Sequence, residues 1–135
     1  MAAALWWGSL TTVGFLVVPM LFAYLPSPAL AGGTAARLFS AQTWVTLACG
    51  MTLLLAVRRE AAAPQAWAAG AGGALPLVVA GLLLALLIEF AVAPRIVARE
   101  NLRLWHGVGT ALYALQWLCA GAVLWKLGGR RGPLP

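Results

Sequence analysis

The sequence predicts an all-α membrane protein, a four-helix transmembrane bundle made of two helical hairpins. Its 135 residues are 63% hydrophobic and only 9% charged, whereas a soluble domain carries roughly a quarter charged residues. The apolar residues fall into four runs of about 20 residues, enough helix to cross a hydrocarbon core of ~30 Å. These runs do not alternate polar with apolar residues, as barrel strands would. Residues 1–135 are therefore predicted to form a single integral membrane domain.

The first span is predicted over about residues 5–25. Pro19 lies inside it, removes one backbone hydrogen bond and is expected to bend the helix. The end of this apolar region, Ala-Leu-Ala-Gly at 29–32, resembles a signal-peptidase site. No Lys or Arg precedes the run, however, and the run is longer than the apolar part of a usual signal peptide. We therefore interpret it as a retained helix.

The second span is predicted over about residues 35–57. It follows a turn that contains Pro26 and Pro28 and that is expected to continue through Gly32-Gly33. Residues 58–74, RREAAAPQAWAAGAGGA, form the longest connection. Their Ala and Gly content predicts a flexible loop or a frayed helical turn.

The third span is predicted over about residues 75–93, where Pro94 interrupts it. The fourth is predicted over about residues 104–127, and residues 128–135 are expected to be a mobile tail. Between these two spans the charged and polar residues predict a hinge, formed by Arg95, Arg99, Glu100, Asn101 and Arg103.

The tryptophans fall into two groups. Five lie near the ends of the apolar runs and are expected at the level of the lipid headgroups: Trp6, Trp7, Trp67, Trp105 and Trp125. Trp44 and Trp117 lie deeper in their runs, and we expect them to pack inside the bundle.

The two predicted hairpins resemble each other faintly. VVPMLFAYL in the first resembles AVAPRIVARE in the second, and Arg37-Leu38-Phe39 resembles Arg103-Leu104-Trp105. Each half then has a span with a late proline, a turn, and a span that opens with Arg-Leu-aromatic. Tandem duplication of a hairpin and chance similarity between apolar segments both explain this likeness.

The charge pattern favours contact with lipid. The formal net charge is +6, but the basic residues flank apolar runs, where they set topology and meet anionic headgroups. We expect the lipid bilayer as a partner and no nucleic acid. An even number of spans places both termini and the 58–74 connection on one side. That side has five basic residues and the other has four, a small excess that favours cytoplasmic termini: Arg58, Arg59, Lys126, Arg130 and Arg131 against Arg37, Arg95, Arg99 and Arg103.

Glu89 is the most informative residue. A carboxylate inside a span is costly unless it is paired, neutralised or exposed to internal water. Counted inward from the proline turns, Glu89, His106 and Gln42 each lie about 5–10 Å below the same interface. Three arginines just above are candidate counter-ions, and Tyr113 shares a helix face with His106. The predicted polar layer is Glu89, His106, Gln42, Arg37, Arg95, Arg99 and Tyr113.

Three roles remain open for the polar layer: a structural lock between helices, a site for a ligand, proton or substrate, and a contact with a partner subunit. Interhelical polar contacts in membranes are worth about 1 kcal/mol each. His106 is a weak haem or metal signal because it has no second histidine at ligand spacing. A copper(I) site from Cys49, Cys119 and methionines is a weaker alternative. We predict no metal and no cofactor.

A resemblance to a known family covers about the whole chain. The segment LWWGSLTTVGFLVVPMLFAYLPSPALAGGTAARLF resembles the opening of the transmembrane-protein-205-like family, which begins with Trp-x-Gly and continues to Pro-x-Leu-Phe and Ala-Gly. Further on, Trp105-His106-Gly107 stands where that family often has Leu-His-Gly. The resemblance implies four transmembrane helices in a bacterial inner membrane or a eukaryotic secretory membrane, and it brings no settled activity. Copper-resistance membrane domains are a looser likeness, and their several histidines are missing here.

The sequence therefore favours a small accessory or stabilising subunit of a membrane complex in the bacterial inner membrane, with a protein partner or a second copy. It shows no phosphate loop, no Gly-x-Ser-x-Gly elbow and no CxxC, so we predict that it is not an enzyme. The alternative is a transporter or binder of a small ion, proton or hydrophobic ligand that uses the polar layer. Haem or copper binding is less favoured.

Overall fold

A computed structural model describes residues 1–61 and 73–129. In this part of the chain there are four helices and no strand, which confirms the predicted all-α bundle. The helices are α1 (Ala2–Tyr24), α2 (Pro28–Ala61), α3 (Leu75–Val97) and α4 (Leu102–Gly128), and each is long and apolar enough to cross a membrane. Most of the predicted 58–74 connection and of the predicted tail lies outside the described residues.

The helices pack as two antiparallel hairpins. Each helix lies against its neighbour in sequence, and α4 closes the bundle against α1. The core is richest toward the start of α1, where Trp6 and Leu10 are fully buried against residues of the other three helices, including Leu82 and Val123. Side chains on the outer faces are large and apolar, as a bilayer requires, so this chain is a multi-pass membrane protein.

Helix α2 begins two turns earlier than the sequence suggested. The hydroxyl of Ser27 accepts a hydrogen bond from the backbone N–H of Leu30 at 3.2 Å, and Pro28 is the first helical residue. Ser before Pro at the first position is a strong helix start. The predicted turn at Gly32-Gly33 is wrong, because these glycines lie inside the long helix that this start begins.

Both α1 and α3 contain a π-helical segment shortly before a proline. The segments are Thr12–Val17 before Pro19 and Ile88–Val92 before Pro94. A proline lacks the N–H that would continue an α-helical ladder. A wider turn just before it is one way to keep the helix continuous. Helix α3 accordingly passes Pro94 and ends at Val97, not at 93.

Some of the buried positions are equivalent in the two hairpins. Buried residues recur with one spacing in α1 and α3, at Ala3, Trp6 and Leu10 and at Val78, Gly81 and Ala85. They also recur in α2 and α4, at Thr46, Gly50 and Leu53 and at Gln116, Ala120 and Val123. Trp6 contacts Gly81 and Thr46 contacts Gln116, so equivalent positions meet each other. We infer an approximate two-fold axis between the hairpins. The Arg-Leu-aromatic likeness is displaced from this alignment by about one helical turn.

Two tryptophans lie where the sequence did not place them. Trp6 is 0% exposed, with its ring against Gly81, so its predicted interface position is wrong. Trp44 is 69% exposed on the outer face of α2, so its predicted burial is also wrong. The burial of a tryptophan depends on whether a glycine faces it across the bundle, and that is a property of helix packing. Trp117 packs against α1 as expected, with its indole N–H bound to Thr11.

Candidate functional site

Polar side chains tie the four helices together in the middle of the bundle. Among residues 1–61 and 73–129, five interhelical hydrogen bonds, which we call the interhelical network, join every helix to at least one other. They are Ser40 to Glu89 at 2.8 Å, Gln42 to Ser9 at 2.9 Å, Gln116 to Thr46 at 3.2 Å, Tyr113 to the Leu10 carbonyl at 2.8 Å and Trp117 to Thr11 at 2.9 Å. Polar groups in hydrocarbon are stable only when they are paired in this way.

Glu89 lies in the π-helical segment of α3 and is half-buried. Its Oε1 accepts a hydrogen bond from the hydroxyl of Ser40 at 2.8 Å. Within residues 1–61 and 73–129, this neutral hydroxyl is the only side chain that hydrogen-bonds the carboxylate. Glu89 lies eight residues before the end of α3, or about 12 Å along the helix. It is deeper than expected because α3 continues past Pro94.

His106 lies apart from Glu89. It is only four residues from the start of α4, or about 6 Å along the helix, and it is exposed. Its Nδ1 lies 2.8 Å from the carbonyl oxygen of Leu102 in the same helix. The structure therefore places the carboxylate and the imidazole at different depths, and it does not bring them together.

Gln42 and Tyr113 both belong to the interhelical network, but they bind different partners. The Gln42 side chain is buried and donates to the hydroxyl of Ser9, which donates in turn to the Trp6 carbonyl at 2.9 Å. Tyr113 donates to the Leu10 carbonyl, and its ring stands edge-on to Phe39 with centroids 5.2 Å apart. These two residues of the polar layer thus hold α1 against α2 and α4.

Arg95 and Arg99 are exposed at the end of the bundle that carries the α1–α2 and α3–α4 turns, which we call the basic end. Arg37 is exposed nine residues into α2, about 14 Å along that helix. The Arg95 guanidinium donates to the Ala91 carbonyl at 2.7 Å and lies 4.5 Å from the centroid of the Trp105 ring. Among the described residues, none of these arginines hydrogen-bonds Glu89. No contact among the described residues therefore supports their predicted role as counter-ions of Glu89.

Small polar residues supply most of the partners that sequence reasoning missed. Ser40, Thr46 and Gln116 complete the interhelical network. The roles of Ser40 and Thr46 were hard to predict from the sequence, because a hydroxyl in a membrane helix often binds only its own backbone. Thr52 does so, donating to the carbonyl of Ala48 at 2.8 Å. Whether a hydroxyl reaches another helix depends on the rotation of both helices.

No metal cluster is found in the part of the chain that the structure describes: no three His, Cys, Asp or Glu residues come together there. Cys49 and Cys119 are free thiols in the apolar interior. Two shallow grooves lie on the outer surface. One lies beside Trp7 and Trp117 and the other runs along the start of α4.

Comparison with known proteins gives a family but no activity. A family model described as a domain of unknown function, DUF4149, matches residues 1–104. No curated protein matches the chain, and no solved structure matches it. The resemblance to the transmembrane-protein-205-like family stays a prediction. Because the match covers α1, α2, α3 and the turn into α4, this multi-pass membrane chain belongs to the DUF4149 family.

Proposed function

We propose that this chain is a non-enzymatic accessory subunit of a membrane complex in the bacterial inner membrane, with its termini in the cytoplasm. The interhelical network is the observation that carries the proposal. Gln42, Tyr113 and Gln116 are bound to neighbouring helices, so the interior polar groups serve to hold a scaffold together. The resemblance to transmembrane-protein-205-like proteins supports the choice of membrane.

The outer surface favours docking at the basic end. No residue of α1 from Thr12 to Tyr24 is buried, although Trp6 and Leu10 in the first half of the same helix are. The second half of α1 therefore has unfilled faces. On α4, His106 and Thr110 are exposed although they share a helix face with Tyr113, which hydrogen-bonds the Leu10 carbonyl of α1. A transmembrane helix of a partner protein would cover both.

Photocrosslinking in intact membranes tests this proposal. A photoreactive amino acid replaces Phe22 in the unpacked half of α1, or Leu83 on α3 as the control, and the full chain is expressed at its native level. The two positions are equally exposed, at 53% and 56%, so lipid reaches both alike. We expect one protein adduct of constant mass at position 22 and none at position 83. Adducts of lipid alone at both positions, or an adduct of twice the mass of this chain, would overturn the proposal of an accessory subunit.

A second candidate function is the binding of a small ion, a proton or a hydrophobic ligand at Glu89. Two observations favour it: the carboxylate is bound to a neutral hydroxyl, and it lies in a π-helical segment. Such segments are frequent at functional sites, and an ionisable residue in a span is by default a functional candidate. Haem or copper binding, which is less favoured, would give a Soret band or bound copper in the pure protein.

Substitutions at Glu89 and Ser40 separate the two functions. In an accessory subunit, we expect Glu89→Gln to leave crosslinking at position 22 unchanged for each folded molecule. Ser40→Ala should then lower the free energy of unfolding by about 1 kcal/mol, because one interhelical hydrogen bond is lost. Cellular function and folded amount are measured side by side. Loss of function at an unchanged folded amount in Glu89→Gln alone would favour the ion or proton site.

A further inference from the structure

The second groove runs along α4 from the basic end toward the middle of the membrane. Its lining changes from polar to apolar along its length: Asn101, Arg103, Leu104, Gly107, Val108 and Ala111. Arg103, Gly107 and Ala111 are four residues apart, so they lie one above the other on one helix face. A Cβ at Gly107 would have no atom within 4 Å. All six lining residues belong to α4 or its N-cap, so the groove is a shallow notch on the lipid-facing surface of this one helix, about 12 Å long by the helical rise.

Unpaired guanidinium groups stand at the polar end of this groove. Arg99 and Arg103 are both exposed, and within the described residues neither side chain makes a hydrogen bond. Arg95 is different, because the Ala91 carbonyl and the Trp105 ring hold it. The hinge is shorter than predicted, because Arg95 lies in α3 and Arg103 in α4. Glu100 is the acidic neighbour of Arg99 and Arg103, so the hinge and the first turn of α4 together keep a net positive charge. Arg99 and Asn101 both have positive φ angles, 58° and 35°, and the Asn101 side chain caps the start of α4 by accepting a hydrogen bond from the Leu104 N–H.

We propose that the hinge and the groove bind one anionic phospholipid. The phosphate lies on Arg103 and Arg99, and one acyl chain follows the groove past Leu104 and Gly107. Charge complementarity supports this occupant, because a guanidinium matches a phosphate with paired hydrogen bonds. A zwitterionic lipid carries its own ammonium beside the phosphate and so gains less from two arginines. The apolar lower half of the groove selects a lipid over free phosphate.

Native mass spectrometry of the full chain tests the proposal. The protein is stripped of lipid in mild detergent and is then titrated with phosphatidylglycerol or with phosphatidylcholine. We expect a single adduct, with at least a tenfold preference for phosphatidylglycerol. Equal binding of the two lipids would overturn the proposal. So would full competition by millimolar inorganic phosphate, which would identify a phosphate site without a lipid component.

Matched variants locate the site. Arg103→Gln should weaken phosphatidylglycerol binding at least fivefold, whereas Arg37→Gln, an exposed arginine on α2, should leave it unchanged. Gly107→Leu fills the groove and should weaken binding of both lipids. Gly33→Leu is its control, because a Cβ at that glycine also has no atom within 4 Å. Equal losses in Arg103→Gln and Arg37→Gln would show diffuse attraction and overturn the site. The helix content of each variant confirms that it is folded.

Discussion

Gly81→Val is expected to destabilise the folded protein strongly. A Cβ at position 81 would lie 2.5 Å from Cη2 and 2.6 Å from Cζ2 of Trp6, and that ring is fully buried. Neither α1 nor α3 can move away without opening the core, and overpacking costs about 1–3 kcal/mol or more. The free energy of unfolding, measured by titration of the detergent-solubilised protein with sodium dodecyl sulfate, should fall by at least that amount.

The matched control for this variant is Gly8→Val in α1, where a Cβ would meet nothing within 4 Å. Gly8→Val should be nearly neutral. In the double variant Trp6→Leu, Gly81→Val, part of the lost stability should return, because the smaller side chain vacates the space. The Trp6 indole N–H has no hydrogen-bond partner among the described residues, so replacing Trp6 by Leu breaks no hydrogen bond there. Equal losses in Gly8→Val and Gly81→Val would contradict the close contact of Trp6 with α3.

Tyr113→Ala is expected to lower the free energy of unfolding by about 3 kcal/mol, the lower range for the loss of a packed aromatic side chain. The Tyr113 ring packs against Gly14 and stands edge-on to Phe39, so it joins α4 to both α1 and α2. Tyr113→Phe keeps the ring and loses only the hydrogen bond to the Leu10 carbonyl. It should cost about 1 kcal/mol.

Leu115→Ala is the control for Tyr113→Ala, because Leu115 lies on the same helix and is 51% exposed toward lipid. Its truncation should have little effect on the unfolding titration. If Tyr113→Phe cost as much as Tyr113→Ala, the hydrogen bond rather than the ring would carry the stability. The packing of the ring on Gly14 would then be energetically unimportant.

The number of helices and the fold class were predictable because they depend on composition and on the lengths of apolar runs. Helix ends were less accessible. Ser27-Pro28 was visible as a helix start, but the two following glycines suggested a longer turn. At Pro94 the π-helical segment lets the helix continue, and we know of no residue pattern that predicts such a segment.

These helix ends explain why the predicted polar layer was incomplete. Depth was counted from the ends, so the longer α3 places Glu89 deeper than His106. The rotation of each helix about its own axis was also unknown. A residue's partner depends on the rotation of both helices that meet. Ser40 was therefore missed as the partner of Glu89. Gln42 was predicted from its depth and Tyr113 from its helix face, and each binds a neighbouring helix.

The approximate two-fold axis carries an evolutionary consequence. When α1 is aligned with α3 so that Trp6 matches Gly81, Gly14 in α1 falls at the position of Glu89 in α3. An ancestor with identical halves would have had the same residue at both places. Two acids there would have put like charges in the low-dielectric middle of one small protein, where repulsion is strong. In the present chain the acid stands in one half only, and the Tyr113 ring packs against Gly14 at the equivalent position of the other half.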